Sequence, residues 1–423
     1  MAFPPPHHLS FVAIGAGPSN LSLAALARPH RDLAFRVFES RPSISWHPGM
    51  MVDNAALQVA PIKDLVSLVD PTSPYSFTAF LQATGRLYRA LVAHRSGVSR
   101  QEFNQYFQWV SRQIEEIELG RAVRSVDFRD GDFVVETAAG RVTTHNLVIG
   151  VGRSPRVPDF ARPHLGSRVF HSSHHVDHRA ELAGRRVLVV GGGQSAAEIV
   201  LDLLCGERRP AALIWAVGRS GLFPLDDSPF ANEWYSPGYL EHFLRHPAPE
   251  RRRLLGEQAL SSDGVSEDLL QQIYAKLYEI DYLRAGGLDY RILLGRRLDD
   301  LTDSGPGLRA TLIGPDARRP DAVDADAVVL ATGYTDAVPE FLAPLRARLD
   351  LDDGGYRVLH DYRVAWDGPA DRRIYVQNAA RRTHGVADPN LALITWRSAT
   401  ILNSLDNGKR YDLALPDTTV ALA

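Results

Sequence analysis

The stretch Arg185–Glu198, RRVLVVGGGQSAAE, limits what this chain can fold into more than any other. An apolar run, Val187–Val190, breaks into Gly191, Gly192 and Gly193, and a helix reads from Ser195 onward. Strand, glycine turn and helix in that order form the dinucleotide fingerprint of a parallel α/β sheet. Glycines let the backbone approach a pyrophosphate, which the helix amino end meets with free N–H groups and partial positive charge. Ala196, a small residue, replaces the third glycine. Gly191, Gly193, Gln194 and Ser195 are therefore candidate cofactor-binding residues.

A second copy lies near the amino terminus. The apolar strand Leu9–Ile14 ends at Gly15-Ala16-Gly17-Pro18-Ser19-Asn20, and Leu21–Ala27 reads as a helix. Gly15, Gly17, Pro18 and Asn20 are its candidate cofactor contacts, with asparagine where a third glycine would stand. A further strand, Phe35–Phe38, ends in Glu39, near the offset of about 20 residues at which an acid takes a ribose hydroxyl. That suits an adenosine with a free 2′-hydroxyl, as in FAD or NAD. After the central fingerprint, the strand Ala212–Val217 leads to Gly218-Arg219-Ser220, with arginine at the ribose-acid position. Arginine accommodates a 2′-phosphate, so the second site is expected to prefer NADPH.

With 423 residues, two or three domains are expected. A net charge of −3 offers no argument for nucleic acid or an anionic membrane as partner. No run approaches the roughly 20 apolar residues of a membrane span, and MAFPPPHHLS lacks a basic region followed by an apolar core. The single cysteine, Cys205, forbids an internal disulfide, reads as a packing residue, and fits a reducing compartment. A cytoplasmic location is expected.

Elsewhere, Glu102–Ile117 has helical periodicity and Val123–Val135 reads as a hairpin turning at Asp130-Gly131. Val328–Ala331 reads as a buried strand closing in Thr332-Gly333-Tyr334, and Leu391–Leu405 as a helix packed back on the first domain. His171, His174, His175 and His178 have a spacing that permits metal binding, but no carboxylate-supported ligand pattern completes it. A solvated loop is the better reading, and no metal is expected. Taken alone, Gln58 and Lys63 read as solvated surface residues.

Together these stretches resemble the N-hydroxylating flavin monooxygenases, the lysine, ornithine and diamine N-hydroxylases of siderophore synthesis. The resemblance rests on GAGPSN at Gly15–Asn20, SWHPGM at Ser45–Met50, KDLVSLVDPTSPYSF at Lys63–Phe77, GGGQSAAE at Gly191–Glu198, LATGY at Leu330–Tyr334, and the late THG…DPN…WRSATILNSL. It is closest to the lysine and diamine branch. SSDG at Ser261–Gly264 stands where ornithine enzymes usually carry an Asn-Tyr-Ser stretch, a departure that puts transfer of the ornithine pocket in doubt.

The resemblance implies an α/β fold with two Rossmann-like dinucleotide-binding domains, for FAD and NADPH, and a small helical substrate-binding segment. The boundaries expected are 1–170 with 322–423 for FAD, 171–230 with 285–321 for NADPH, and 231–284 for the helical segment. It also implies that NADPH reduces FAD, that O₂ forms a C4a-hydroperoxide, and that a neutral amine takes the distal oxygen to become a hydroxylamine. Gln58 matches a glutamine beside the flavin, Lys63 a lysine pairing with substrate carboxylate, and Asn232 an asparagine at that same end. Trp46, His47 and Gly333 join the expected cofactor contacts, and Ser262 and Asn390 the substrate contacts. Tetramers are common among such enzymes, so a homo-oligomer is expected.

An amine of pKa near 10.4 costs about 4.6 kcal/mol to deprotonate at pH 7. The pocket is therefore expected to lack a carboxylate at the reacting nitrogen, with Asp263 the residue that could break the rule. L-Lysine is the expected substrate, with cadaverine or putrescine as the alternative. Pyridine nucleotide–disulfide reductases share both fingerprints but need a cysteine pair, which this chain does not have. Other flavin monooxygenases, and a paralogue that only binds nucleotides, are the further alternatives.

Overall fold

A computed structural model describes residues 8–53, 55–57, 59–93, 97–283, 287–315, 320–352, 355–405, 408–414 and 419–420. The first fingerprint opens a sheet containing β1 (Leu9–Ile14), β2 (Phe35–Phe38), β3 (Ile117–Glu118), β4 (Val123–Arg129), β5 (Asp132–Thr137) and β6 (Gly140–Ile149). Their order is β3-β2-β1-β6-β5-β4, parallel from β3 to β6 and antiparallel from there. Asp130 and Gly131, at φ 52° and 86°, make the expected hairpin turn in the left-handed conformation that matches strand twist.

The late strand Arg373–Val376 pairs in parallel with Asn146–Ile149 of β6, so the first sheet draws on distant parts of the chain. The helix Ile394–Leu405 packs on α1 (Pro18–Ala27), which follows the first glycine turn. The carboxy-terminal helix thus reaches the first domain as expected.

The central fingerprint lies in a second, wholly parallel sheet. Its strands run Asp289–Leu294, Ala212–Val217, Arg186–Val190, Ala327–Leu330 and Val169–His171 across the sheet. Both faces of its inner strands are covered, which is why Val187–Val190, Leu213–Val217 and Ala327–Leu330 are continuous apolar runs, while the edge strand Asp289–Leu294 is largely exposed. Val187 and Val189 pack with the helix Gln194–Cys205, while Leu188 and Val190 pack toward an antiparallel sheet formed by Arg297–Ser304, Gly307–Ile313 and Asp321–Ala325.

Two boundaries drawn from the sequence need correction. Ala327–Leu330 pairs with Arg186–Val190, and Val169–His171 pairs in turn with Ala327–Leu330, so both belong to the second sheet rather than the first. Their apolar composition suits any buried parallel strand; pairing decides membership. Cys205 is exposed rather than packed, at the last residue of its helix, where no further turn covers it.

Candidate active site

Two cavities share Arg153 and Pro389, and the larger lies against the first glycine turn. The larger, about 770 Å³, is walled by Gly15, Gly17, Pro18, Glu39, Arg41, Trp46, His47, Tyr334 and Gln377 among others. At Gly15 (φ 89°) a Cβ would lie 2.6 Å from the Gly150 carbonyl oxygen, so only glycine fits. Gly17 caps α1 without a side-chain hydrogen bond, and no acid occupies the first turn. The helix amino end is therefore open to an anion, as a pyrophosphate requires.

Glu39 is buried at the end of β2, where one carboxylate oxygen accepts the Ala16 N–H at 2.8 Å and the other the Arg41 N–H at 2.9 Å. Burial works to raise this carboxyl, but those two N–H groups and the Arg41 guanidinium outweigh it and hold it below its ordinary value. The carboxylate is thus ionised and braced against the turn. His47, left-handed at φ 49°, lines the larger cavity. Its depth, with the Arg100 and Arg41 charges, lowers its pKa to about 4, so the ring is neutral at pH 7.

Asn20, an expected cofactor contact, is bonded within the protein. It is fully buried and lines neither cavity; its amide donates to the carbonyls of Ile14 and Gly15 and accepts from Gln377 at 2.7 Å. The third position of the first fingerprint fastens the turn to the late strand's end. Gly333 also lies outside both cavities, its carbonyl facing His171 Nε2 at 2.9 Å, while its neighbour Tyr334 lines the larger one.

The smaller cavity, about 230 Å³, brings together Lys63, Asn232, Ser262 and Asn390, the four expected substrate contacts. Gln58 lies outside the described residues. Arg153, Arg381, Asp226, Asp227, Asp263 and Tyr235 line the same space and were not picked out as substrate contacts from the sequence. Arg153 is held by Asp336 at 2.8 Å, and Arg381 by Asp263 at 3.3 Å and Ser262 at 2.9 Å. Lys63, by contrast, has no acidic partner among the described residues; its ammonium lies 6.0 Å from the Tyr235 ring, and burial lowers its pKa. Asn232 Nδ2 donates to the carbonyls of Asp227 and Ser228, which orients it in the wall. Asp226, Asp227 and Asp263 line this cavity, and Asp263, the residue expected to challenge a carboxylate-free reacting end, is neutralised by Arg381.

The second fingerprint stands outside both cavities. At Gly191 (φ 141°) a Cβ would lie 2.2 Å from the Ala331 carbonyl oxygen, which explains that glycine. Gly193 caps the next helix with no side chain over its amino end, and Ser195 lies in its first turn. Arg219 is exposed and donates to the Asp263 carbonyl at 3.0 Å. Gln194 is spent within the protein: it accepts the Ser266 N–H at 2.9 Å and donates to Ser266 Oγ and Glu198.

The four histidines are each engaged separately: His171 with Ser173 and Gly333, His174 with Asp177, His175 with Asp202, and His178 with Glu181. The only trio among the described residues with ligand atoms close together is His8, Asp132 and His145, where Arg372 already holds Asp132 at 3.0 Å. No described helix is long and apolar enough to cross a membrane.

Residues 7–336 match the family model for L-lysine 6-monooxygenase/L-ornithine 5-monooxygenase. The chain is 36% identical to L-lysine N6-monooxygenase of Escherichia coli over 416 residues, 97% of this chain and 98% of the relative. The FAD-bound cadaverine monooxygenase of the desferrioxamine pathway from Erwinia amylovora is similar in structure at TM-score 0.90 and 30% identity, over 98% of both chains. The ornithine N-hydroxylase of Kutzneria sp. 744, solved with reduced FAD, NADP⁺ and L-ornithine, gives TM-score 0.87 at 28% identity, over 95% of this chain and 99% of that one.

Proposed function

The chain belongs to the L-lysine 6-monooxygenase/L-ornithine 5-monooxygenase family, and from that premise we propose that it N-hydroxylates the side-chain amine of L-lysine for hydroxamate siderophore synthesis. It is an FAD- and NADPH-dependent enzyme: bound FAD, reduced by NADPH, supplies the activation of O₂. The residues present fit that pair. The open α1 amino end and Gly15–Gly17 turn would hold the FAD pyrophosphate, Glu39 the ribose, and Trp46, His47 and Tyr334 the wall around it. Arg219 would take the NADPH 2′-phosphate, near the Gly191–Gly193 turn.

The observation that carries the substrate reading is the unpaired charge of Lys63. Of the three cations lining the smaller cavity, Arg153 and Arg381 are neutralised internally, and Lys63 has no acid among the described residues. A half-buried ammonium without a partner is costly, and a ligand carboxylate relieves that cost. Asp226 and Asp227, across the same space, suit the α-ammonium, so the wall complements a zwitterionic head group. With that end anchored, the side-chain amine extends at a set depth toward the neighbouring cavity, through the region bordered by Arg153 and Pro389. Burial of the amine there would favour the neutral form that must react.

A diamine is the second reading, favoured by the same two aspartates, which would equally bind a distal ammonium. The test is hydroxylamine product by mass spectrometry, from FAD-loaded enzyme, NADPH and air, with lysine, ornithine, cadaverine and putrescine offered separately. Lysine-selective product is expected. Diamine-selective product overturns the carboxylate role of Lys63, and peroxide alone with all four overturns the reading.

A further inference from the structure

The segment 261–266 has almost every polar group engaged, and its partners fall on two sides. Toward the smaller cavity, Tyr235 Oη donates to the Ser261 carbonyl at 2.6 Å, and Arg381 reaches Ser262 Oγ and the Asp263 carboxylate. Toward the second fingerprint, Arg219 donates to the Asp263 carbonyl at 3.0 Å. Gln194, first residue of the helix after the glycine turn, exchanges hydrogen bonds with both the N–H and Oγ of Ser266. Between them Val265 pairs with Phe223 and Leu225, and a Cβ on Gly264 would sit 2.5 Å from Leu225 Cα. One short strip is therefore a wall of the smaller cavity on one side and a bracket for the second glycine turn on the other.

We propose that this strip couples the two sites, with Gln194 and Arg219 as the positioning residues through which a bound 2′-phosphorylated nucleotide tightens the amine pocket. The inference rests on the nucleotide and amine sites as assigned above. Arg219 has five N–H donors and uses one on Asp263, leaving the rest for a phosphate. A phosphate that fixes this exposed guanidinium fixes the Asp263 carbonyl with it, and through Asp263 the Arg381–Ser262 face of the cavity. The ordering cost of the wall is then met by the first ligand, and the second binds more tightly. By linkage the amine tightens NADP⁺ by the same factor.

The test is the dissociation constant of L-lysine on the oxidised, FAD-loaded enzyme, read by calorimetry without nucleotide, with saturating NADP⁺ and with saturating NAD⁺. NADP⁺ is expected to tighten L-lysine at least fivefold, and NAD⁺, which lacks the phosphate, less than twofold. Gln194→Ala is expected to reduce the NADP⁺ effect to less than twofold, and Ser266→Thr, which keeps both hydrogen-bonding groups, to retain it. Equal lysine affinity in all three wild-type conditions overturns the coupling while leaving the amine reading intact if hydroxylysine is still formed. An unchanged NADP⁺ effect in Gln194→Ala overturns the role of Gln194. Failure of NADP⁺ or L-lysine to bind the wild-type enzyme overturns both this inference and the functional reading.

Discussion

Arg100 grips Glu198 through two hydrogen bonds, Nη2 to Oε1 at 2.8 Å and Nη1 to Oε2 at 3.1 Å. Arg100 begins a helix of the first domain and Glu198 lies in the helix after the central glycine turn, so the pair clasps the two nucleotide-binding units. Nη1 also donates to the Met50 carbonyl at 2.7 Å, beside the larger cavity. With exposures of 12% and 5%, neither side chain has much water to fall back on.

Removing one member of that clasp strands the other. Arg100→Ala is expected to destabilise the protein by about 3–5 kcal/mol, the cost of an uncompensated buried charge. Arg100→Met combined with Glu198→Leu is expected to recover more than half of that loss, because no charge is left behind. Urea unfolding of the single and double variants checks this; equal losses would show that the pairing is not what holds the charges.

Lys63 should act on substrate and not on nucleotide. Losing one charge-assisted hydrogen bond costs about 1.5–3 kcal/mol, so Lys63→Ala is expected to raise the lysine KM roughly 10- to 100-fold. NADPH oxidation should continue, with more of it ending as peroxide. The pH dependence follows from burial, which lowers the Lys63 pKa below the ordinary 10.5. The ammonium that binds a carboxylate is present below that lowered pKa and lost above it, so lysine affinity should fall with alkali earlier than for an ordinary lysine. Lys63→Arg should abolish that alkaline limb in a KM-versus-pH profile.

The cofactor preference is separable from the amine chemistry. Arg219→Ala is expected to raise the KM for NADPH roughly tenfold or more and to change that for NADH by less than twofold, since only NADPH carries the 2′-phosphate. Steady-state oxidation of both nucleotides measures it. Equal effects on the two would remove Arg219 from the phosphate site.

His384, in the THG stretch, provides an acid-sensitive element. It is fully buried, stacked 4.2 Å from the Tyr362 ring, and burial lowers its pKa to about 4. Between the ordinary 6.5 and that value the unfolded chain binds the proton and the folded one does not, so stability falls as pH drops through this window. The contribution is about 3 kcal/mol, fully present above pH 6.5 and lost by about pH 4. Urea midpoints at pH 7 and pH 5 should differ less in His384→Asn than in the unsubstituted protein.

How far the site could be read from the sequence depended on the range of the forces involved. Gly15 and Gly191 were legible because a strand, a positive-φ turn and a helix are written in adjacent residues. The strands ahead of Glu39 and Arg219 were legible as short apolar runs, which puts the acid and the arginine just beyond strand ends. Asn20 and Gln194 were expected as cofactor contacts. Their place in the fingerprint is right, but their amides are claimed by Gln377 and Ser266, residues that sequence proximity does not connect to them. Lys63 looked like a surface residue on local grounds, and only the family resemblance singled out Lys63 and Asn232.

The sequence by itself determined the two glycine turns, the apolar strands that feed them and the contrast between an acid and an arginine beyond them. These depend on backbone sterics, apolar periodicity and charge within a few residues. The tertiary structure alone decided which residues meet in the smaller cavity. Lys63, Asn232, Ser262 and Asn390 come from four separate segments and meet only when those segments pack together. Whether Lys63 is solvated or awaits a carboxylate turns on Asp336 and Asp263 having already taken the neighbouring arginines. Charge pairing of that kind is set by distances in space, which no local pattern along the chain encodes.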